Sequence, residues 1–330
     1  MFLLRLKVRK MNNENMNPLV SIVIPVYNKE QWITQTLKSV LEQSYSNWEC
    51  VIVDDGSTDN SVVVIEKFII ENPANWKLLR QPNAGQATAR NVAINNSFGE
   101  FISFLDGDDI WARNKIEAQV ALLSSNPQTV LVLCPFISFV QSPMKRIKFV
   151  YFSHSNARKM LARWLDMTGY GGGTESVGMV RRTSLELVGG FNPNVSTSAG
   201  LLLTLQLADI GSIAFCKSTL MGYRQYEEQW HRDHVELEKN MSYVTKVRFN
   251  PGTKEFRNIT RSQNAYFFIT SKGRNTNVLN ELTRGFLAIS KMFYSLLIRR
   301  IVSRLRTLGL KKSIQIHPDV LKDFFKQLER

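Results

Sequence analysis

Along the first half of the chain, short apolar runs alternate with stretches whose apolar positions recur every three to four residues. Val20-Ser21-Ile22-Val23-Ile24-Pro25 is a β-branched run closed by proline, which predicts a first strand. Asn28 with Gln31 three places on makes a capping-box pattern, and Ile33, Leu37, Val40 and Leu41 then predict an amphipathic helix ending near Gln43. Glu49 to Val53 is a second predicted strand, followed by a helix to about Glu71. Lys77-Leu78-Leu79 predicts a third strand, and Ala87, Ala89, Val92 and Ala93 lie on the helix after it. Phe101 to Leu105 is a fourth strand, then comes a helix from Ala112 to about Ser124, and Val130 to Leu133 is one more strand. Strands alternating with helices at this spacing predict an α/β fold, a mostly parallel sheet with helices on both faces. From Phe136 onward the pattern loosens. Met160, Leu161, Trp164 and Leu165 give Asn156–Asp166 a helical face, and Ile213–Cys216 reads as a last strand.

The fourth strand ends in Asp106-Gly107-Asp108-Asp109. Carboxylates just past a strand's carboxyl end sit where open α/β sheets bind their ligands. Acids crowded on one turn repel each other unless a cation or polar ligand compensates. Hard oxygens of this kind suit Mg²⁺ or Mn²⁺ held together with substrate phosphates. A plainer reading makes Asp-Gly a turn and Asp109 the cap of a helix beginning near Trp111. A calcium loop is excluded: Glu117 stands at the twelfth place from Asp106, but Trp111 stands where the loop needs glycine. The loops after the first, second and fourth strands should gather on one edge, bringing Tyr27, Asp55 and Asp108 together. Asp59 is equally well a helix cap, and Asp54 reads as structural.

Composition adds a partner question. The 330 residues carry a formal charge of +14, and the stretch from Arg284 to Lys312 has eight basic residues and no acid. Such a balance invites nucleic acid, a membrane surface or anionic substrates. Nucleic acid is set aside, because the α/β half lacks a basic patch interleaved with aromatics. Cys50, Cys134 and Cys216 are far apart in apolar stretches and read as buried thiols. The first ten residues lack a long apolar core or cleavage site, and no run reaches membrane-span length, so a cytoplasmic protein is expected. No Gly-rich phosphate loop of the dinucleotide or Walker type occurs. His231 and His234 flank Asp233, a spacing that permits a metal but reads more simply as a solvated loop.

Val20 to Asn28, Val53-Asp54-Asp55-Gly56-Ser57-Thr58-Asp59, Asn83-Ala84-Gly85 with Ala89-Arg90-Asn91, and Asp106-Gly107-Asp108-Asp109 resemble the family 2 glycosyltransferases, in the family's order. The resemblance runs from about Pro18 to Tyr223. It implies a GT-A fold over residues 18–225; residues 1–17 read as an N-terminal tail, and residues 226–330, outside the resemblance, as a mainly helical, basic extension. It also implies an inverting enzyme that moves a sugar from a nucleotide-sugar donor, UDP-linked, to a cell-surface glycan or lipid-linked acceptor. By resemblance, Pro25, Tyr27, Asn28 and Asp55 hold the base and ribose, with Arg90 nearby. Asp106 and Asp108 match the Asp-x-Asp element, with Asp106 also counted on the nucleotide side and Asp108 ligating Mn²⁺ or Mg²⁺ at the diphosphate.

The chain departs from the family after Gly189-Gly190-Phe191. Relatives carry an acidic pair at the start of the next helix, one member of which is the general base. Here that stretch is Ser196-Thr197-Ser198-Ala199-Gly200-Leu201-Leu202, and no acid occurs between Glu186 and Asp209. Glu175, the acid within the glycine-rich segment between Asp166 and Glu186, is the candidate substitute; an exposed loop glutamate is the alternative. A nucleotide-sugar-binding partner subunit without turnover is the corresponding alternative for the whole protein. In the extension, Phe286, Leu287, Ile289, Phe293, Leu296, Leu297 and Ile301 form an apolar face beside Lys291, Arg299, Arg300, Arg304 and Arg306. That segment either packs on a core or lies on an anionic membrane surface, and the membrane is the expectation adopted.

Overall fold

The computed structural model describes residues 17–140, 148–150, 175–195, 198–226 and 234–248. All belong to the first of two compact units, Met1–Thr270. The expected helix at Asn156–Asp166, the pair His231 and Asp233, and the basic segment after Arg284 lie outside the described residues.

The strands and helices follow the two rhythms of the sequence. Strand β1 (Val20–Val26) is buried along its whole length, as an apolar run covered on both faces must be. Helix α1 (Ile33–Leu41) leads to β2 (Trp48–Asp54), and α2 (Ser61–Glu71) leads to β3 (Trp76–Arg80). Helix α3 (Gln86–Asn95) leads back to β4 (Phe101–Phe104). Then come β5 (Ile110–Trp111), α4 (Lys115–Ser125), β6 (Thr129–Leu133), β7 (Phe136–Val140) and β8 (Lys148–Val150). The described chain continues with β9 (Gly178–Arg181), α5 (Arg182–Leu187), α6 (Ala199–Ile210), β10 (Ser212–Phe215), β11 (Met221–Gln225) and α7 (His234–Arg248).

The main sheet has the order β10-β6-β9-β4-β1-β2-β3. Its pairs are parallel except at β9, which runs antiparallel between β4 and β6. Right-handed crossovers place α1 and α2 on one face of this sheet and α3, which carries the chain back across β1, on the other. The packing of α1 against α2, and of α3 against β1 and β2, agrees with that. A second sheet, β5-β11-β7-β8, stands beside the first. Helix α7, within the expected extension, packs on α6, where Arg248 donates to the Leu205 carbonyl and pairs with Asp209.

Several local expectations change. Asn28 does not cap α1, which starts at Ile33 with Trp32 at its N-cap. Asn28 takes a left-handed backbone instead (φ 53°), a conformation asparagine tolerates better than most residues. Its side chain accepts from the Thr58 amide at 2.8 Å, so it ties the first loop to the second. Asp109 caps no helix. Ile110–Trp111 pair with Met221–Gly222 as strands, and α4 begins at Lys115. Ser212–Phe215 is followed by a further strand, β11. These strands escape a periodicity reading because their partners lie far along the chain and a two-residue strand has no period of its own.

Candidate functional site

Strand order reverses between β1 and β4: the chain runs outward from β1 through β2 to β3, then returns to the other side of β1. At such a reversal point, open α/β sheets bind their ligands outside the carboxyl ends of the strands. The end of β1 brings Pro25 to this point and the loop after it brings Tyr27, Asn28 and Lys29, with Tyr27 43% exposed. The loop after β4 brings Asp106 to Asp109. The two loops touch at Gly107, where an added Cβ would lie 3.3 Å from Lys29 Cγ and 3.5 Å from the Pro25 carbonyl oxygen. Thr36 of α1 holds the turn from below, its hydroxyl within hydrogen-bond distance of the Gly107 and Asp109 carbonyls (3.0 and 2.8 Å).

Each acid of the turn meets a different environment. Asp106 pairs with Arg90 Nη2 at 2.5 Å, while its side chain stays 27% exposed. Asp108 Oδ2 accepts from Lys29 Nζ and from the Tyr226 hydroxyl, both at 2.8 Å. Burial works to lower the Lys29 pKa, but Asp108 and Tyr226 outweigh it and hold the ammonium charged above its ordinary range. Asp109 is buried and accepts from the Arg224 amide at 3.1 Å. Burial, then the charges of Asp108 and Asp106, push its carboxyl well above the usual range. Arg224, also buried, donates from Nε to the Asp108 carbonyl (2.8 Å) and from Nη2 to Gln35 (2.7 Å). Its guanidinium lies near the Trp32 and Phe139 rings, 4.7 and 4.9 Å from their centroids.

The second loop is built around its acids. Asp55 is buried; one oxygen accepts from Gln81 Nε2 (2.7 Å) and the Ala84 amide (2.9 Å), the other from the Gly85 amide (2.9 Å). Its carboxylate therefore clamps the loop between β3 and α3. Asp54 differs: Oδ2 accepts from the Ser57 amide at 3.3 Å, while buried Oδ1 has no donor among the described residues. Asp54, expected to be structural, is 4% exposed and lies within the turn it helps to hold.

Arg90 is 1% exposed and spans two acids, donating to Asp106 and, at 3.4 Å, to Glu175. It thus faces these carboxylates rather than the loops after β1 and β2. Glu175 is itself only 9% exposed, so the loop-glutamate alternative is set aside. Its neighbour Ser176 is fixed beneath the acidic turn: its hydroxyl accepts from the Asp106 amide (3.0 Å), and its carbonyl accepts from Trp111 Nε1 (2.9 Å). Sequence reasoning missed Lys29, Tyr226 and Arg224. The available signal for Lys29 was its place directly after Tyr27-Asn28; Tyr226 and Arg224 offered none, because β11 itself is not legible in the sequence.

The acidic turn suits a divalent ion. Asp106 and Asp108 stand two places apart on one turn, and Asp106 Oδ2 has no hydrogen-bond donor among the described residues. No group of three or more metal-ligating side chains occurs among the described residues. A pair of carboxylates completed by substrate phosphates and water is the usual arrangement for Mg²⁺.

A mostly parallel, helix-covered sheet with an acidic turn at its reversal point defines a GT-A-type nucleotide-sugar fold. The chain belongs to the glycosyl transferase family 2, whose model matches residues 21–186. It is 44% identical over 110 residues to an uncharacterized glycosyltransferase of Haemophilus influenzae, covering 33% of this chain and 44% of that one. It is likewise 44% identical over 109 residues to the UDP-Glc:alpha-D-GlcNAc-diphosphoundecaprenol beta-1,3-glucosyltransferase WfgD of Escherichia coli, covering 33% and 42%. Both matches span less than half of the relative. Among solved structures, the mannosyltransferase PcManGT from Pyrobaculum calidifontis, in complex with GDP-Man and Mn²⁺, aligns with TM-score 0.57 at 16% identity over 94% of this chain and 95% of that one. S. aureus TarS in complex with UDP-GlcNAc aligns with TM-score 0.55 at 18% identity, over 75% and 71%. These structural likenesses establish the fold.

Proposed function

We propose that the protein transfers a sugar from a nucleoside-diphosphate sugar, UDP-linked, to a hydroxyl of a lipid-linked or cell-surface glycan acceptor, with inversion at the anomeric carbon. The observation that carries this reading is the meeting, where strand order reverses between β1 and β4, of the acidic turn of Asp106 and Asp108 with the loop that bears exposed Tyr27. Asp106 and Asp108 would hold Mn²⁺ or Mg²⁺, which neutralises the charge developing on a diphosphate leaving group. The Tyr27 ring is free to stack on a base beside Pro25 and Asn28. Asp55 keeps the Gln81–Gly85 loop in place beside them. Arg90 fixes Asp106. A UDP-sugar donor and a lipid-linked acceptor draw support from the name of the E. coli relative and from the ligand bound to TarS. Mn²⁺ draws support from the P. calidifontis complex.

The test is release of the nucleoside diphosphate from a panel of UDP-, GDP- and dTDP-sugars, with Mn²⁺, with Mg²⁺ and with chelator. The UDP arm should respond and chelator should abolish it. Asp108→Asn should fold normally and lose activity by roughly 10²–10³-fold, the range for removing one preorganised electrostatic element. Wild-type turnover in Asp108→Asn at saturating Mn²⁺ would remove the metal assignment. Binding of a nucleotide sugar with no release under any condition would favour the non-catalytic partner subunit.

A further inference from the structure

Helix α6 carries no acid in its first turn, yet a carboxylate stands there. A Cβ built on Gly200, the second residue of α6, would fall 2.3 Å from Glu175 Cδ and 2.5 Å from each of its oxygens. Any side chain at position 200 would have to displace that carboxylate. Glu175 comes from the turn before β9, not from the helix. It is held by Arg90, which joins it to Asp106, and by Ser176, which anchors the turn under the Asp106 amide. Its other side faces a cavity of about 10 Å³ lined by Phe104, Leu131, Phe191, Gly200 and Leu203. That space accommodates about one water. The helix start favours an anion at this point, but the contact with Gly200 and the ion pair with Arg90 are what fix the group.

We propose that Glu175 is the general base of the transfer, occupying the room that Gly200 leaves at the start of α6. This rests on the glycosyl-transfer reading above. A Glu175 oxygen takes the proton of the acceptor hydroxyl as the hydroxyl oxygen bonds to the anomeric carbon. The bond from that carbon to phosphate oxygen breaks, and its electron pair leaves with the nucleoside diphosphate. Arg90 keeps Glu175 and Asp106 at a fixed separation, so base and leaving-group side stay in register.

The test measures nucleotide release from the donor found by the panel, with water as the acceptor, alongside donor binding and thermal melting. Glu175→Gln should bind donor as wild type does and lose about 10²–10⁴-fold in turnover, the span a positioned base supplies. Glu175→Gly should be equally slow and should recover at least roughly tenfold in added formate, a small carboxylate that fits the space vacated. Gly200→Asp alone should be impaired, because its side chain collides with Glu175 and adds like charge. Gly200→Asp made together with Glu175→Gly should exceed Glu175→Gly alone, since the acid returns to the same place from the helix side. A merely structural role for Glu175 predicts neither the formate response nor the recovery by exchange. Turnover of Glu175→Gln within threefold of wild type overturns the proposal. So does failure of both formate and the exchange to raise a Glu175→Gly protein that still melts and binds donor normally. A wild type that releases nucleotide from no donor overturns the transfer reading itself, a result distinct from either of these.

Discussion

Lys115 is an ammonium group where water does not reach. It is 0% exposed, donates to Gln119 Oε1 (2.6 Å) and Ser103 Oγ (3.2 Å), and lies 3.9 Å from the Trp111 ring centroid. Burial pulls its pKa down to about 8, only partly opposed by Cys134 and Cys216. The unfolded chain therefore binds the proton more tightly than the folded one. Between about 8 and the ordinary lysine value of 10.5, stability gained from Lys115 rises with pH, and it is lost again as pH falls through the folded value. The interval corresponds to roughly 3 kcal/mol. The buried thiols act oppositely, burial having pushed Cys134 up to about 12, so comparison with Lys115→Met isolates the effect. Wild type should gain on Lys115→Met across that interval in urea denaturation; parallel pH curves would show that Lys115 is not neutralised on folding. Lys29 gives a second prediction at this scale. Its ammonium stands on a carboxylate oxygen of Asp108, one of the two acids proposed to hold the divalent ion. Lys29→Met should therefore bind Mn²⁺ several-fold more tightly, read by titration calorimetry without donor; unchanged or weaker binding contradicts competition at Asp108. The acids were legible because three in one turn is an unusual pattern. Lys29, Tyr226 and Arg224 were not, since their contacts join residues distant in sequence.

Among the elements, the inner parallel strands β1, β2, β4 and β6 were legible because each carries a largely apolar run that its two covered faces require. What the sequence concealed was pairing. Strand β9 enters the main sheet antiparallel, and the small sheet gathers β5, β7, β8 and β11 from separate places in the chain. Periodicity records which face of an element is apolar, not which distant strand meets it. Coupling between loops is a property of this scale. Gly56 has φ +75°, and a Cβ there would lie 2.8 Å from the Asn83 amide nitrogen. The loop after β2 and the loop after β3 can thus approach only through a glycine, beside the Asp55 bonds to Ala84 and Gly85. Gly56→Ala combines left-handed strain with a backbone collision, a cost of about 1–3 kcal/mol. Its melting temperature should fall by several degrees, and donor affinity should weaken with it because the clamp moves. An unchanged melting temperature would mean that the two loops are not held at this contact.

For the whole molecule, charge is the property that the described fold leaves unused. The site half carries the clustered acids of both loops, whereas Arg284 to Lys312 carries eight basic residues and no acid. Apolar positions from Phe286 to Ile301 accompany them. An enzyme whose acceptor is anchored in lipid gains by being held at the same surface, because encounter then takes place in two dimensions. We therefore propose that this segment binds the anionic inner face of the plasma membrane. Each basic side chain near such a surface contributes about 1 kcal/mol, so the set is ample for reversible attachment. The attraction decays over about 10 Å at 0.1 M salt and about 3 Å at 1 M. The full chain should sediment with vesicles containing phosphatidylglycerol, release in high salt, and stay in solution with neutral phosphatidylcholine vesicles. A protein truncated before Arg284 should lose vesicle binding while retaining nucleotide release with a water acceptor. Equal binding to neutral and anionic vesicles, or binding unaltered by truncation, would show that this segment is not what holds the protein at a membrane.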